Sequence, residues 1–240
     1  MATREDIQKY SVKRILLKGP TYSGKTHNAI LFAVDYSLRG QEVLYLDLFE
    51  ISAANELLLR TDIELKNITY IPIDSFKQLI EITETLPILK PKLVIVDAGH
   101  YSVQLARAET RTEILAQGTY RVGDSHTEIK IENPHLFDLV GWLYQIPSRD
   151  VVTMISNLIK SRCDLVFTLD DTYPKVAEYL VIDGRFDYVL RLSRCIDAKG
   201  IPEYSFQIDK FRGKPLKNYG SQKIPDGMGA LNILDTLISK

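Results

Sequence analysis

The sequence lacks several features that would point to particular classes of protein. Its two cysteines, Cys163 and Cys195, form no C-x-x-C pair and lie in or beside apolar runs, so we expect buried thiols, a reducing compartment and no structural zinc. No apolar run reaches the length of a membrane span, and the N-terminus has no apolar signal segment. We therefore expect a cytoplasmic protein that does not contact a membrane.

The chain also has no large excess of positive or negative charge. Lys and Arg number 30 and Asp and Glu number 31, which gives a formal net charge of −1. A nucleic-acid-binding protein usually carries a positive excess, so any such contact would have to come from a local patch. The balance therefore weakens a nucleic-acid interpretation without excluding it.

Short apolar runs alternate with segments of helical spacing along the first 100 residues. The predicted strands are 14–18, 43–47, 68–72 and 93–97; helices are predicted from Lys25 to about Arg39, up to Arg60, and from Ser75 to Leu86. This alternation predicts an α/β fold with a mainly parallel central sheet flanked by helices on both faces. A content of 45% hydrophobic residues in 240 supports one large core, and we expect a single domain over residues 1–240.

A phosphate-loop motif follows the first predicted strand. Residues 19–26 match G-x-x-x-x-G-K-[ST] at every specified position. Its glycines let backbone N–H groups turn toward a polyphosphate, Lys25 reaches the β- and γ-phosphates, and Thr26 offers a hydroxyl to Mg²⁺. The predicted ATP-binding residues are Gly19, Pro20, Thr21, Tyr22, Ser23, Gly24, Lys25, Thr26 and His27.

A buried carboxylate ends the fourth predicted strand. Asp97 follows four apolar residues, as a Walker B aspartate does, and would hold Mg²⁺ through water opposite Thr26. The alternative is an aspartate that caps the next element. The next residue is Ala98, so the acidic pair of many ATPases is absent and a water-activating base must come from elsewhere.

These motifs resemble the RecA-like ATPase core, in particular that of KaiC, of RadA paralogues and of short phage-encoded annealing ATPases. In that group a glutamate after the second strand positions the attacking water, and Glu50 matches this position. KaiC carries two successive acids there, and the first of them is Phe49 in this chain. Asp47 is the alternative base, and an ordinary acid at a helix start or sheet edge is the structural alternative.

Residues 98–163 are predicted to be a long insertion, with a polar stretch at 106–133 and helical spacing at 137–144 and 151–161. In recombinases, segments after the Walker B strand face DNA, so basic residues here suit a single-stranded DNA channel. Interleaved acids favour a solvated face equally. The basic residues are Arg107, Arg111, Arg121 and Lys130; His100, His126 and His135 lack metal-ligand spacing and are read as ordinary histidines.

The last third predicts an antiparallel hairpin, with strands at 188–192 and 204–208, and a final amphipathic helix at 230–238. The segment after the second strand resembles the I-x-K-x-R-G ending of KaiC and RadA paralogues. The resemblance implies that Lys210 and Arg212 are catalytic residues that reach the γ-phosphate of a neighbouring subunit, and hence a homo-oligomer. The alternative is a basic loop that protects a sheet edge.

Three functions remain open from the sequence. The resemblance implies an Mg²⁺-dependent ATPase that acts as an oligomer in DNA recombination or repair, with single-stranded DNA or recombination proteins as partners. A KaiC-like regulatory switch that binds protein partners is the second. A thymidine-kinase-like enzyme is the third, although Ala98 stands where that enzyme needs a glutamate.

Overall fold

A computed structural model describes residues 12–49, 52–117, 119–121, 128–130, 145–171, 182–216, 220–225 and 228–238. The strands in chain order are β1 (Arg14–Gly19), β2 (Val43–Asp47), β3 (Ile68–Pro72), β4 (Leu93–Asp97), β5 (Thr119–Arg121), β6 (Glu128–Lys130), β7 (Asp164–Asp170), β8 (Tyr188–Ile196), β9 (Pro202–Phe211), β10 (Lys214–Pro215) and β11 (Gln222–Lys223). The helices are α1 (Lys25–Leu38), α2 (Ser52–Leu57), α3 (Asp62–Leu65), α4 (Phe76–Leu89), α5 (Tyr101–Gln117), α6 (Gln145–Lys160) and α7 (Ala230–Ile238).

The central sheet has the strand order β10-β9-β8-β1-β7-β4-β2-β3, with β11 paired to β9. The six strands from β8 to β3 run parallel, and β9 returns antiparallel to β8. The carboxyl ends of β1, β2, β4 and β7 therefore meet at one edge of the sheet, where α/β proteins bind ligands. The predicted mainly parallel sheet with a C-terminal antiparallel hairpin is confirmed.

Helices cover both faces of this sheet because its central strands are apolar on both sides. In β1, Ile15 and Leu17 pack into a cluster with α1 and α7, whereas Leu16 packs into a second cluster with α4 and α6. Each such side chain is almost fully buried, and complete burial of one aliphatic side chain contributes about 1.5–3 kcal/mol. The two clusters fix the sheet between its helical layers and hold the strand ends in place.

The sequence-based prediction was wrong for part of the 98–163 segment. The supposedly irregular polar stretch from residue 106 is helical up to Gln117, as the second half of α5. The helix is poor in apolar residues, and it anchors itself through Glu109, whose carboxylate accepts a hydrogen bond from the Lys77 amide at 3.1 Å. The helical spacing predicted at 137–144 lies outside the described residues.

Smaller corrections concern helix ends and one thiol. The helix predicted up to Arg60 is the short α2, which ends at Leu57, and α3 follows it from Asp62. Helix α4 continues through Pro87 to Leu89, and Ser75 caps it as predicted by accepting from the Gln78 amide. Cys163 is buried, but Cys195 is exposed on the hairpin, contrary to expectation. Among the described residues, no helix has the length and apolar character that crossing a bilayer requires.

Candidate nucleotide site

The phosphate loop joins the end of β1 to the start of α1, and both of its glycines are needed. A Cβ on Gly19 would lie 2.5 Å from the Leu192 carbonyl oxygen and 2.7 Å from Ser23 Oγ. Gly24 has φ of 86°, a conformation that favours glycine. Tyr22 also has a positive φ, 63°, and its side chain is 79% exposed, so the ring projects out of the loop and leaves its interior open.

The interior of this loop suits an anion. Ser23 Oγ is buried and has no hydrogen-bond partner among the described residues. A buried hydroxyl without a partner is costly, and a phosphate oxygen would satisfy it. The residues therefore fit a polyphosphate, at the start of a helix whose dipole favours negative charge.

Lys25 is held at the loop. Its ammonium donates to the carbonyl oxygens of Gly19 (2.8 Å) and Pro20 (2.7 Å), and lies 3.8 Å from an Asp170 oxygen. Burial lowers the pKa of Lys25, and the charge of Asp170 opposes that shift. The lysine thus stays within reach of a phosphate without packing into the core.

Asp97 lies at the end of β4, and both of its oxygens are already engaged. Thr168 Oγ1 (2.6 Å) and the Ala98 amide (3.0 Å) donate to Oδ1, and the Tyr45 hydroxyl donates to Oδ2 at 2.9 Å. Asp97 and Thr26 line the same cleft. Within the described ranges no group of three His, Cys, Asp or Glu side chains could hold a metal by itself, so Mg²⁺ would depend on nucleotide oxygens and water for most of its ligands.

Of the two candidate bases, Asp47 lies within the described residues and Glu50 lies outside them. Asp47 accepts from the Phe49 amide (3.0 Å) and from the Tyr70 hydroxyl (2.9 Å), and it is not among the described residues that line the cleft. Burial raises its pKa. Which of the two carboxylates would position the attacking water stays a prediction.

Asp170, at the end of β7, is a site residue that the sequence reading missed. It accepts a hydrogen bond of 2.6 Å from Thr21 Oγ1 and so ties the phosphate loop to the neighbouring strand. The signal was present, since Asp170 ends a strand that is buried throughout, as Asp97 does. The sequence also predicts a strand here, over residues 164–169, which stops one residue before Asp170.

Two histidines and a glutamate also line the cleft: His27 of α1, Glu56 of α2, and His100 in the turn before α5. His27 Nδ1 lies 2.6 Å from Glu56 Oε1, and this hydrogen bond raises the pKa of His27. Burial lowers the pKa of His100 to about 4, so the ring is neutral at pH 7. His100, interpreted from the sequence as ordinary, packs against Tyr101 at the rim of the nucleotide cleft.

The antiparallel hairpin closes the other side of the cleft, which has a volume of about 490 Å³. Arg194 of β8 pairs in register with Tyr204 of β9, and both line the cleft. A Tyr204 ring carbon lies 3.5 Å from the point where a Gly24 side chain would begin. The hairpin therefore brings an aromatic face and a cation to the phosphate loop, a contact that no local sequence pattern encodes.

Lys210 and Arg212 lie elsewhere. Lys210 donates to the Phe186 carbonyl at 2.7 Å, and the Arg212 guanidinium lies over the Phe211 ring at 5.5 Å. Because β9 runs antiparallel to β8, its carboxyl end lies at the sheet edge opposite to the phosphate loop. The spacing of two residues would place both side chains on one face of an extended chain, but Arg212 follows β9 in a turn with φ of 50°. Their action on a neighbouring subunit stays a prediction.

The basic residues predicted to face DNA are only partly described. Arg107 lies on α5. The side chains of Arg111, Arg121 and Lys130 lie outside the described set, as do His126 and His135.

No protein-family model and no curated protein sequence matches this chain. Solved structures do. A KaiC-like protein of the archaeon Pyrococcus horikoshii matches with a TM-score of 0.56 at 14% identity, over 89% of this chain and 85% of that protein. The flagellar accessory protein FlaH of Methanocaldococcus jannaschii matches with a TM-score of 0.54 at 10% identity, over 93% and 96% of the two chains. The fold is therefore the RecA-like P-loop ATPase fold that KaiC-like proteins share, as the phosphate loop and Asp97 predicted.

Proposed function

We propose that this protein binds ATP with Mg²⁺ and hydrolyses it. The observation that supports this most directly is the phosphate loop, where the buried hydroxyl of Ser23 has no partner among the described residues and Lys25 lies beside it. Thr26 and Asp97 face the same cleft. A bound Mg²⁺ would draw charge from the β- and γ-phosphates as the terminal bond breaks.

The residues of the chain have distinct parts in this proposal. Lys25 exchanges its two carbonyl contacts for phosphate oxygens, and the loop amides surround the phosphates. Asp97, fixed by Tyr45 and Thr168, would help to hold the metal ion through water. Glu50 positions the attacking water, a role for which the engaged Asp47 is less suited. Tyr204 and Arg194 offer stacking and charge to the base and sugar end of the nucleotide.

The experiment is ATP titration by calorimetry in the presence of Mg²⁺, together with a phosphate-release assay. Lys25→Ala should abolish tight binding or turnover while the melting temperature stays near that of the wild type, because its side chain packs against no core cluster. Lys77→Ala, which removes an exposed lysine of α4, is the matched control. Equal affinity and equal turnover in Lys25→Ala would refute the proposal.

Between the wider roles, the described surface favours a KaiC-like switch over a DNA recombination or repair factor. Two of the cations near the cleft are paired with acids: Arg191 lies 2.7 Å from Asp171 and 3.3 Å from Asp209, and Arg60 lies 3.4 Å from Glu56. Paired cations attract nucleic acid weakly. We expect the ATPase rate to be unchanged by single-stranded DNA; a severalfold stimulation would favour the recombination role.

We further propose that the active form is a homo-oligomer. Lys210 and Arg212 lie far from the phosphate loop of their own chain, which is the arrangement required if they act across a subunit boundary. Sedimentation at several protein concentrations, with and without ATP, tests this directly. A monomer with a concentration-independent ATPase rate would overturn it.

A further inference from the structure

A second cavity, of about 550 Å³, lies at the sheet edge opposite to the phosphate loop. Two connections meet there, one from α4 to β4 and one from α6 to β7, and they lie side by side because Leu93 pairs with Asp164 in the sheet. Four of the described lining residues are cations: Lys90, Lys92, Lys160 and Arg162. None of the described lining residues is acidic. We call this feature the basic cavity.

Most of this positive charge is uncompensated. Lys92 lies 3.3 Å from Asp164, whose oxygens also accept hydrogen bonds from the Lys13 amide and the Tyr36 hydroxyl. Lys90, Lys160 and Arg162 make no ion pair within the described part of the chain. A concave site with three unpaired cations repels itself, and a multivalent anion would relieve that repulsion.

The backbone adds an independent observation. Lys90 has φ of 48° and Arg162 has φ of 61°, each at the point where a helix ends and a strand follows. These left-handed positions favour glycine, and other residues adopt them at a cost. Lys90 is the left-handed residue that ends α4, which is a common way for a helix to end. Both residues are exposed and line the same cavity.

Helix capping does not account for these cations. A basic residue near a helix end can satisfy exposed carbonyls, but within the described residues neither the Lys90 nor the Arg162 side chain donates to one, and one carbonyl at each helix end has another partner. The Lys90 amide donates to the Leu86 carbonyl at 2.8 Å, and Ser161 Oγ donates to the Leu158 carbonyl at 2.6 Å. The long side chains of Lys90 and Arg162 are therefore not required for the helix ends.

We propose that the basic cavity binds a small compound that carries several phosphate groups. Its volume lies in the range of small-molecule sites, roughly 300–1,000 Å³. The described lining contains no aromatic ring, so charge on the phosphates, and not stacking on a base, provides the recognition. A phosphorylated lipid headgroup carries the same chemistry, and the experiment separates the two sources. The proposal does not depend on the nucleotide site, which lies at the other sheet edge.

The test uses the full chain with Lys25→Ala, so that the phosphate loop does not compete for the probe, and calorimetric titration with inorganic tripolyphosphate. Adding Lys90→Gly and Arg162→Gly should weaken binding at least tenfold. The melting temperature should not fall, because glycine relieves the positive φ at both positions. Lys66→Gln with Lys199→Gln removes the same charge from exposed positions outside the cavity and should leave binding unchanged.

A second measurement is flotation with vesicles that contain phosphatidylinositol bisphosphate, a lipid whose headgroup carries several phosphate groups. Tripolyphosphate binding that the two glycine substitutions abolish supports a soluble ligand. Vesicle binding that they abolish, without tripolyphosphate binding, supports a lipid headgroup as the source of the phosphate. If the glycine variant and the Lys66→Gln, Lys199→Gln control behave alike with both probes, the proposal is wrong.

Discussion

Asn28 connects the phosphate loop to the C-terminal helix, and its removal should affect both. The side chain is buried in the first turn of α1; Nδ2 donates to the Gly24 carbonyl at 2.8 Å, and Oδ1 accepts from the Ala230 amide at 2.6 Å. The first bond restrains the glycine that shapes the loop. The second caps the start of α7.

The cost of Asn28→Ala follows from these two bonds. The Gly24 carbonyl keeps its helical bond from the Asn28 amide at 3.0 Å, but the buried Ala230 amide loses its acceptor. The lost cap and the unsatisfied donor are the same hydrogen bond, whose removal costs about 1–3 kcal/mol. We expect a loss of this size in the free energy of unfolding, which lowers Tm by roughly 2–12 °C in a chain of this size.

The measurement is thermal unfolding by circular dichroism, combined with ATP titration. Asn28→Asp keeps the acceptor for Ala230 but places a carboxylate beside the phosphate loop, so it should retain more stability than Asn28→Ala and bind ATP more weakly. Asn232→Ala is the control, because Asn232 Oδ1 is buried without a hydrogen-bond partner among the described residues. An unchanged Tm in Asn28→Ala, or an equal loss in the control, would refute the reasoning.

Three further changes have defined outcomes. Glu50→Gln should bind ATP normally but hydrolyse it at least tenfold more slowly; a normal rate, with loss of turnover in Asp47→Asn, would reverse the assignment. Arg212→Ala mixed with Lys25→Ala should recover part of the activity that each lacks, since a mixed interface restores one intact site, and absence of recovery would place Arg212 outside catalysis. His100 has a pKa of about 4 when folded against 6.5 as its ordinary value, so it lowers the free energy of unfolding by up to about 3 kcal/mol as pH falls from 6.5 to 4. In His100→Gln, the free energy of unfolding measured with urea should depend less on pH between 6.5 and 4 than in the wild type. An unchanged pH dependence would contradict this.

The central parallel strands were predictable because they are buried on both faces. Runs such as residues 93–96 are continuously apolar, and this separates a central parallel strand from a surface element. Helix α5 was not predictable in this way. Its contacts depend on a few small or polar side chains, such as Ala106 and Glu109, which give almost no periodic signal.

In the candidate site, too, the residues within local sequence patterns were predictable and those brought in by distant strands were not. The phosphate loop and Asp97 are local patterns, in which chemistry and backbone conformation are encoded within a few residues. Tyr204 reaches Gly24 only because β9 folds back along β8, and that contact depends on the hairpin register. The backbone at Arg212 was not predictable for a related reason. The local sequence does not reveal that the chain turns at this residue.

We expect Mg²⁺ to be necessary for tight binding of ATP, because carboxylates line the proposed nucleotide cleft. Asp170 lies 3.8 Å from Lys25 Nζ, so a phosphate that takes up Lys25 comes close to this carboxylate. Two like charges about 5 Å apart repel by roughly 3 kcal/mol at an effective dielectric constant of about 20, which corresponds to about a hundredfold in affinity. A divalent cation between Asp97 and the phosphates offsets this repulsion.

Chelation of Mg²⁺ should therefore weaken ATP binding at least tenfold in calorimetry. Asp170→Asn should raise the affinity for ATP without Mg²⁺, and so reduce the difference between the affinities measured with and without the metal. Asp171→Asn is the matched control, because the neighbouring Asp171 is paired with Arg191 at 2.7 Å and its charge is already compensated. Equal affinities with and without Mg²⁺ would show that the carboxylates do not oppose the phosphates. A control that narrows the difference as much as Asp170→Asn would show that the effect comes from net charge and not from the position of Asp170.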